Sequence, residues 1–311
     1  MRDNIIQIIN LTKKFSLEAG FFARKDNFVY AVNDVTFDIE RGKTYGLVGE
    51  SGCGKSTVAK IITGMYKPDS GSVTFKPLTE GAGDSDISRL CKYVFQDPAR
   101  SLNPRMNVYS ILTDGLKHSK NWPGKEKALE LAREIIREIG LDESDLYRRP
   151  GEFSGGQRQR ISIARGLLMQ PELLICDEVV SALDVSIQGQ ILNLLQDLRK
   201  KRNLSFLFIA HDLRVSCYFC DKIGVMYRGV LVEEADASDL YKTSRHPYTQ
   251  LLFAGSQGQS DNSSGEVKTV LSRLTGCPFA HRCPKADSIC LEKLPDWKEI
   301  GEGHKLRCHK V

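Results

Sequence analysis

The chain has 311 residues, 41% hydrophobic and 27% charged, which is the composition of an ordinary globular protein with room for one large α/β domain and a smaller appendage. Its formal net charge of +5 is mild, and the longest basic run, Arg199–Arg202, reads as the solvated end of a helix, so charge gives no support to nucleic-acid binding. The apolar runs are only strand-length where a spanning helix needs about 20 residues, and no charged-then-apolar leader opens the chain; the expectation is a cytoplasmic protein that reaches a membrane through a partner.

Ile5–Leu11 and Val32–Ile39 alternate as strands do. Gly42 turns the chain into Thr44–Val48, a short apolar strand that runs straight into a glycine-rich loop. A helical pattern follows over Val58–Thr63, and Asp69–Gly71 turns into a strand at Ser72–Phe75. From about residue 97 to 150 the chain is charged and helical, with Ala128, Leu131, Ala132, Ile135 and Ile139 at helix spacing. After Pro171 the α/β alternation resumes. Leu173–Cys176 reads as a buried strand, Ile187, Ile191, Leu194, Leu195 and Leu198 stripe a helix, and Ser205–Ala210 is a further strand. Strand–helix–strand repetition implies parallel strands with helical crossovers. Gly255–Gly265 has linker composition.

Gly49-Glu50-Ser51-Gly52-Cys53-Gly54-Lys55-Ser56 fits the phosphate-loop pattern, with a strand before it and a helix after it. The glycines let backbone N–H groups converge on phosphate oxygens at the positive end of that helix. Lys55 would reach the β- and γ-phosphates and the Ser56 hydroxyl would hold Mg²⁺. A buried strand ending in Asp177-Glu178 is the natural counterpart: a carboxylate for the metal and a base for the attacking water. Alone that pair is a weak signal; beside the loop it is a strong one.

Glu152-Phe153-Ser154-Gly155-Gly156-Gln157-Arg158-Gln159-Arg160 resembles the LSGGQ signature of ABC ATPases, with phenylalanine in place of the usual leucine. Ser181-Ala182-Leu183-Asp184 resembles that family's D-loop, Gln96 its Q-loop glutamine and Ala210-His211-Asp212 its switch histidine, all in the family's order. The segments Val94–Met106, Ser181–Leu195 and Arg245–Thr249, with the cysteine-bearing tail, narrow the resemblance to ATPases of oligopeptide, dipeptide and nickel importers. Val179 departs from that subfamily, where proline or alanine is commoner.

The resemblance implies an α/β P-loop NTPase of ABC ATPase type. It would have a parallel-sheet core, an N-terminal antiparallel β subdomain, a helical subdomain and a small Cys-rich C-terminal region. Residues 1–254 would form the nucleotide-binding domain, with the helical subdomain at about 97–168; 255–268 would be a linker and 269–311 the metal-binding region. Two such domains sandwich two ATP molecules head to tail. On one chain Gly49, Ser51, Gly52, Cys53, Gly54, Lys55, Ser56, Thr57, Gln96, Asp177 and His211 would bind ATP. Glu178, His211 and Gln96 would be catalytic, and Ser56, Gln96 and Asp177 would hold Mg²⁺. Ser154, Gly155, Gly156, Gln157 and Asp184 would act on the nucleotide of the other chain. Phe15 would stack on adenine, with Tyr30 as its rival. The implied partners are a second ABC ATPase subunit, a different chain in preference to a second copy, two transmembrane permease subunits and, indirectly, a substrate-binding protein. The implied location is the cytoplasmic face of the inner membrane, peripherally.

The tail carries Cys277-x5-Cys283-x6-Cys290-x17-Cys308. Four thiolates suit zinc or an iron–sulfur cluster, though the spacing lacks the C-x2-C pairs of zinc ribbons. In the resembled importers such a tail is associated with a [4Fe–4S] cluster. His281, His304 and His309 read as solvated surface residues, and Cys217 and Cys220 as small buried residues of a helix. Cys53, beside Lys55 and a helix N-terminus, is expected to have a lowered thiol pKa and to be open to alkylation. Short peptides are the expected cargo, with nickel, other chelated metals and oligosaccharides as alternatives. A non-transport ABC ATPase would carry a long coiled-coil insertion or a second cassette, and this chain has neither.

Overall fold

The computed structural model describes residues 3–16, 28–77, 87–119, 122–255 and 275–311. The chain divides into two compact units, one of Met1–Lys76 with Leu207–Val311, the other Pro77–Phe206. No helix among the described residues is long and apolar enough to cross a membrane.

The first unit opens with β1 (Asn4–Ser16) and β2 (Phe28–Glu40), paired antiparallel. In β2 the period-two residues Val35, Phe37 and Ile39 are buried, as a one-sided strand requires. β3 (Thr44–Val48) is buried along its whole length and leads through the loop into α1 (Lys55–Ile62). That helix starts three residues ahead of the apolar stripe because Gly54, in the left-handed region, serves as its N-cap. β4 (Ser70–Phe75) completes a three-stranded sheet of order β2-β1-β4. The Phe37 ring stacks on Tyr45, with centroids 4.5 Å apart, and so ties this sheet to β3.

The second unit holds α2 (Ile87–Leu90), β5 (Cys91–Val94), α3 (Pro98–Ser101), α4 (Val108–Lys117), α5 (Lys125–Glu138), α6 (Gly155–Leu167), β6 (Leu173–Asp177) and α7 (Val185–Arg202). β5 and β6 run parallel. Helix α5 buries Ala128, Ala132, Ile135 and Ile136, so Ile136 joins the expected stripe while Leu131 stays half-buried. In α7 the buried face is Ile191, Leu192, Leu195 and Leu198. Its basic end is anchored: Lys201 and Arg202 both pair with Glu138.

β7 (Ser205–Ala210) starts in the second unit and ends in the first. Then come α8 (Leu213–Phe219), β8 (Lys222–Tyr227), β9 (Val230–Asp236), α9 (Ala237–Thr243), α10 (Pro247–Gly255), α11 (Ser288–Glu292), β10 (Lys298–Gly301) and β11 (His304–Leu306). Within the first unit the strand order is β10-β11-β9-β8-β3-β7. β3 and β8 are parallel, whereas β8–β9, β9–β11 and β10–β11 are antiparallel. The sheet is therefore mixed, and the tail is built into it as its last two strands, with β10 at the edge. Two adjacent buried carboxylates of β9 explain the attachment. Glu233, 0% exposed, accepts from His304 Nε2 at 2.8 Å and from the backbone amides of Arg245 and His246. Glu234 accepts from Tyr45 Oη at 3.0 Å and pairs with Lys222 and Lys305. Buried carboxylates persist only with such partners. His304 is thus a buried ligand of Glu233 and not the solvated histidine expected, while His281 is exposed. Cys220 is buried but stands just past the end of α8, and Cys217, within it, is half-buried. Most of the expected linker, residues 256–268, falls outside the described residues.

Candidate functional site

In the first unit the loop closes around Lys55, which is 4% exposed. Its Nζ donates to Gly49 O at 2.7 Å and Glu50 O at 2.9 Å. Cys53 N donates to Glu50 O, and Gly229 N, in the β8–β9 turn, donates to Cys53 O at 2.8 Å. Gly54 has φ 110°, and a Cβ there would lie 2.1 Å from Ala31 O, so no other residue fits. Ser51 and Gly52 are exposed, while Ser56 and Thr57, on the first turn of α1, are half-buried. Cys53 corrects its expectation. Its thiol is 1% exposed, and burial raises its pKa by more than the neighbouring Lys55 lowers it. Proximity to a cation was legible; the burial that outweighs it was not.

Phe15 and Tyr30 are both half-buried. Phe15 meets the Tyr66 ring edge-on at 5.4 Å, with Lys13 Nζ 5.6 Å from its centroid. Tyr66, 37% exposed, is a member of this aromatic surface that sequence reading missed. His211 is exposed just past the end of β7.

In the second unit, β6 delivers Asp177 and Glu178 at its end. Asp177 is 7% exposed and accepts from the Tyr93 hydroxyl. Tyr93 was also missed; its only signal is its place in the buried strand β5. Glu178 has φ 48°, an uncommon conformation for a non-glycine residue. Its carbonyl accepts from both the amide and the hydroxyl of Ser181, which closes the turn. Gln96 Nε2 donates to Glu178 Oε2 at 2.7 Å, bringing together two residues far apart in sequence.

Ser154 is the N-cap of α6 in a reciprocal capping box: its Oγ accepts from Gln157 N, and its own N–H donates to Gln157 Oε1. Ser154 and Gly155 are exposed, and Gly156 has a packing role as well, since a Cβ there would lie 2.7 Å from Ile187 Cγ2. Phe153, the departure from the signature, is a 4% exposed anchor beneath the Arg148 guanidinium. Asp184 is exposed at the head of α7 and makes no side-chain cap. Val179 is buried.

The hydroxyl, amide and carboxylate of Ser56, Gln96 and Asp177 are the hard oxygen donors that Mg²⁺ prefers. In the tail, the Cys277 thiol is pushed up to about 11, chiefly by burial, against the lowering effect of the Phe279 backbone. Among the described residues no group of three or more His, Cys, Asp or Glu side chains stands close enough to hold a metal ion.

The ABC transporter family profile matches residues 32–181, and that of the oligopeptide/dipeptide transporter C-terminal region matches residues 232–290. Among curated proteins the chain is 40% identical to the oligopeptide transport ATP-binding protein AppF of Bacillus subtilis, over 99% of this chain and 98% of the relative. It is 38% identical to a probable peptide ABC transporter ATP-binding protein of Sinorhizobium fredii, over 99% and 90%. Among solved structures it resembles cbiO1 of Clostridium perfringens, part of the cbiONQ ABC transporter complex, with TM-score 0.65 and 25% identity, over 77% of this chain and 91% of that one. It also resembles the dimeric ATP-binding cassette MJ0796 bound to ADP and Pi, with TM-score 0.62 and 26% identity, over 75% and 98%. The chain belongs to the ABC transporter family, as an ATP-binding protein carrying the C-terminal region of the oligopeptide/dipeptide branch.

Proposed function

We propose that this ATPase powers the import of short peptides. The observation that carries the hydrolytic part of the reading is the Gln96–Glu178 hydrogen bond of 2.7 Å at the end of the strand that presents buried Asp177. A carboxylate held by a neutral amide keeps its orientation, as a base that positions water must. Lys55 and the loop amides hold the phosphates. Ser56, Gln96 and Asp177 would hold Mg²⁺, which supplies charge neutralisation. His211 is assigned to the γ-phosphate, and Phe15 to stacking on adenine.

The exposed Ser154 and Gly155 at the head of α6 offer N–H groups and a positive helix end, a fit for the γ-phosphate held by a second ATPase subunit. Gln157 and Asp184 belong to the same cross-subunit face. Head-to-tail dimerisation of this kind draws support from the dimeric ADP-bound relative, and a different ATPase chain is the proposed partner. A groove of about 460 Å³ in the second unit is lined by Phe95, Met106, Ile111, Arg165 and Met169. It adjoins Gln96 along the chain, and we assign it to one of two transmembrane permease subunits, which a substrate-binding protein supplies. The protein then works peripherally on the cytoplasmic face of the inner membrane. Residues 1–254 serve as the nucleotide-binding domain, with 97–168 as its helical subdomain and 255–268 as a linker. Residues 269–311 carry Cys277, Cys283, Cys290 and Cys308, proposed ligands of a [4Fe–4S] cluster; the reading rests on the thiol chemistry of the four side chains. The peptide cargo rests on the names of the relatives.

The test is Glu178→Gln in the complex with its cognate subunits. The variant should bind Mg-ATP and hold a stable dimer while turnover falls by about 10²–10⁴-fold. Turnover near that of the parent removes Glu178 from the base role.

A further inference from the structure

Glu50, in the phosphate loop, is held by two residues from far along the chain, all within the first unit. Its backbone N–H donates to Tyr248 Oη at 2.9 Å, and its Oε2 receives Arg282 Nη1 at 2.8 Å. Tyr248 is 0% exposed and packs its ring against Tyr227 and Phe279. The Arg282 guanidinium lies over those same two rings, 5.8 Å from each centroid. On the loop side, Glu50 O accepts from Lys55 Nζ and from Cys53 N. Glu50 therefore links the aromatic cluster to the lysine, and a shift of its backbone shifts the carbonyl that holds Lys55.

The anchor comes from the cysteine-bearing tail. Arg282 ends a short turn, Ala280–Arg282, strung between Cys277 and Cys283 by the bonds Ala280 N to Cys277 O, Arg282 N to Phe279 O and Cys283 N to Ala280 O. Cys277 N donates in turn to Cys290 O at 2.7 Å. Charge points the same way. A carboxylate in a loop that receives a polyphosphate repels it, and a guanidinium at 2.8 Å cancels that charge.

We propose that Arg282 and Tyr248 are positioning residues that clamp Glu50, so that the cysteine-bearing tail sets the loop's affinity for nucleotide. The inference rests on the reading of the loop as the ATP site. Mg-ATP titrated by calorimetry into the full-length chain tests it, with melting temperature measured alongside. Arg282→Met should weaken binding about fivefold, the scale of one partly exposed ion pair. Arg282→Lys should lose less. Arg282→Met combined with Glu50→Gln should bind more tightly than Arg282→Met alone, because the unpaired carboxylate is gone; a purely structural arginine predicts no such rescue. Tyr248→Phe keeps the ring and deletes only the acceptor of the Glu50 N–H, and should also weaken binding. In the assembled complex KM for ATP should rise while kcat holds. Arg282→Met binding as tightly as the parent, or a double variant no better than Arg282→Met, overturns the clamp while leaving the loop as the ATP site. A parent chain that does not bind Mg-ATP overturns the reading beneath it.

Discussion

At Glu178 the backbone turns into the left-handed region with φ 48°, a conformation that costs a non-glycine residue on the order of 1–3 kcal/mol. Both the amide and the hydroxyl of Ser181 hold the turn from the other side, and the outcome is a carboxylate delivered to Gln96. Gly156 shows a different constraint. Its place in the signature suggests phosphate contact alone, yet a Cβ there would meet Ile187 Cγ2 at 2.7 Å. Gly156→Ala should therefore destabilise the protein by about 1–3 kcal/mol through overpacking. Adding Ile187→Ala should recover part of that loss in urea unfolding, though not the nucleotide affinity. Equal unfolding midpoints for Gly156→Ala and the parent would show that Ile187 gives way freely. The residues legible in sequence were those whose chemistry is contiguous: the loop lysine, the paired carboxylates, the capping serine. Tyr93 on Asp177 and Arg282 on Glu50 were not, because 84 and 232 residues separate the partners. At Cys53 the neighbours were read correctly and the burial was invisible, so the sign of its pKa shift came out reversed.

Among the elements, the strands flanking the two phosphate-site motifs were legible because each is a short apolar run bounded by turn residues, and β3 matches its expected span residue for residue. α1 was read late because Lys55, Ser56 and Thr57 are polar, and a stripe-based start cannot see a helix whose first turn faces a ligand site. The Gly255–Gly265 linker composition points to a separate appendage, whereas the structure ties the tail to β9 through the buried carboxylates Glu233 and Glu234, which sequence pattern does not reveal. Those carboxylates recruit His304 and Lys305 and make β11 part of the sheet. Around α11, the tail brings Cys277, Cys283, Cys290 and Cys308 into one short stretch of chain, the thiol set that an iron–sulfur centre would need. Protein purified without oxygen should contain iron and acid-labile sulfide, and both should fall together in Cys290→Ser. Material with neither, yet with native nucleotide binding, assigns the tail to packing alone.

At the scale of the whole molecule, the tail's integration into the first unit makes stability depend on a histidine. His246, 1% exposed, lies where β9, α10 and the tail converge. Its amide donates to Glu233, its Nδ1 accepts from Tyr248 N at 3.1 Å, and the Phe279 ring stands 6.1 Å away. Burial lowers its pKa to about 4, against a small opposing effect of the Arg307 backbone. An unfolded histidine titrates near 6.5, so between those values the unfolded chain binds the extra proton and acid favours unfolding. The stability tied to a neutral His246 is complete above about pH 6.5 and is lost as pH falls toward 4. That amounts to about 2 kcal/mol between pH 7.5 and 5. His246→Gln removes the titrating group, so its unfolding free energy should fall less steeply than the parent's over that interval, whatever its absolute stability. Parallel slopes for the two proteins would mean that His246 is protonated in the folded chain, and that the junction of tail and sheet is open to water.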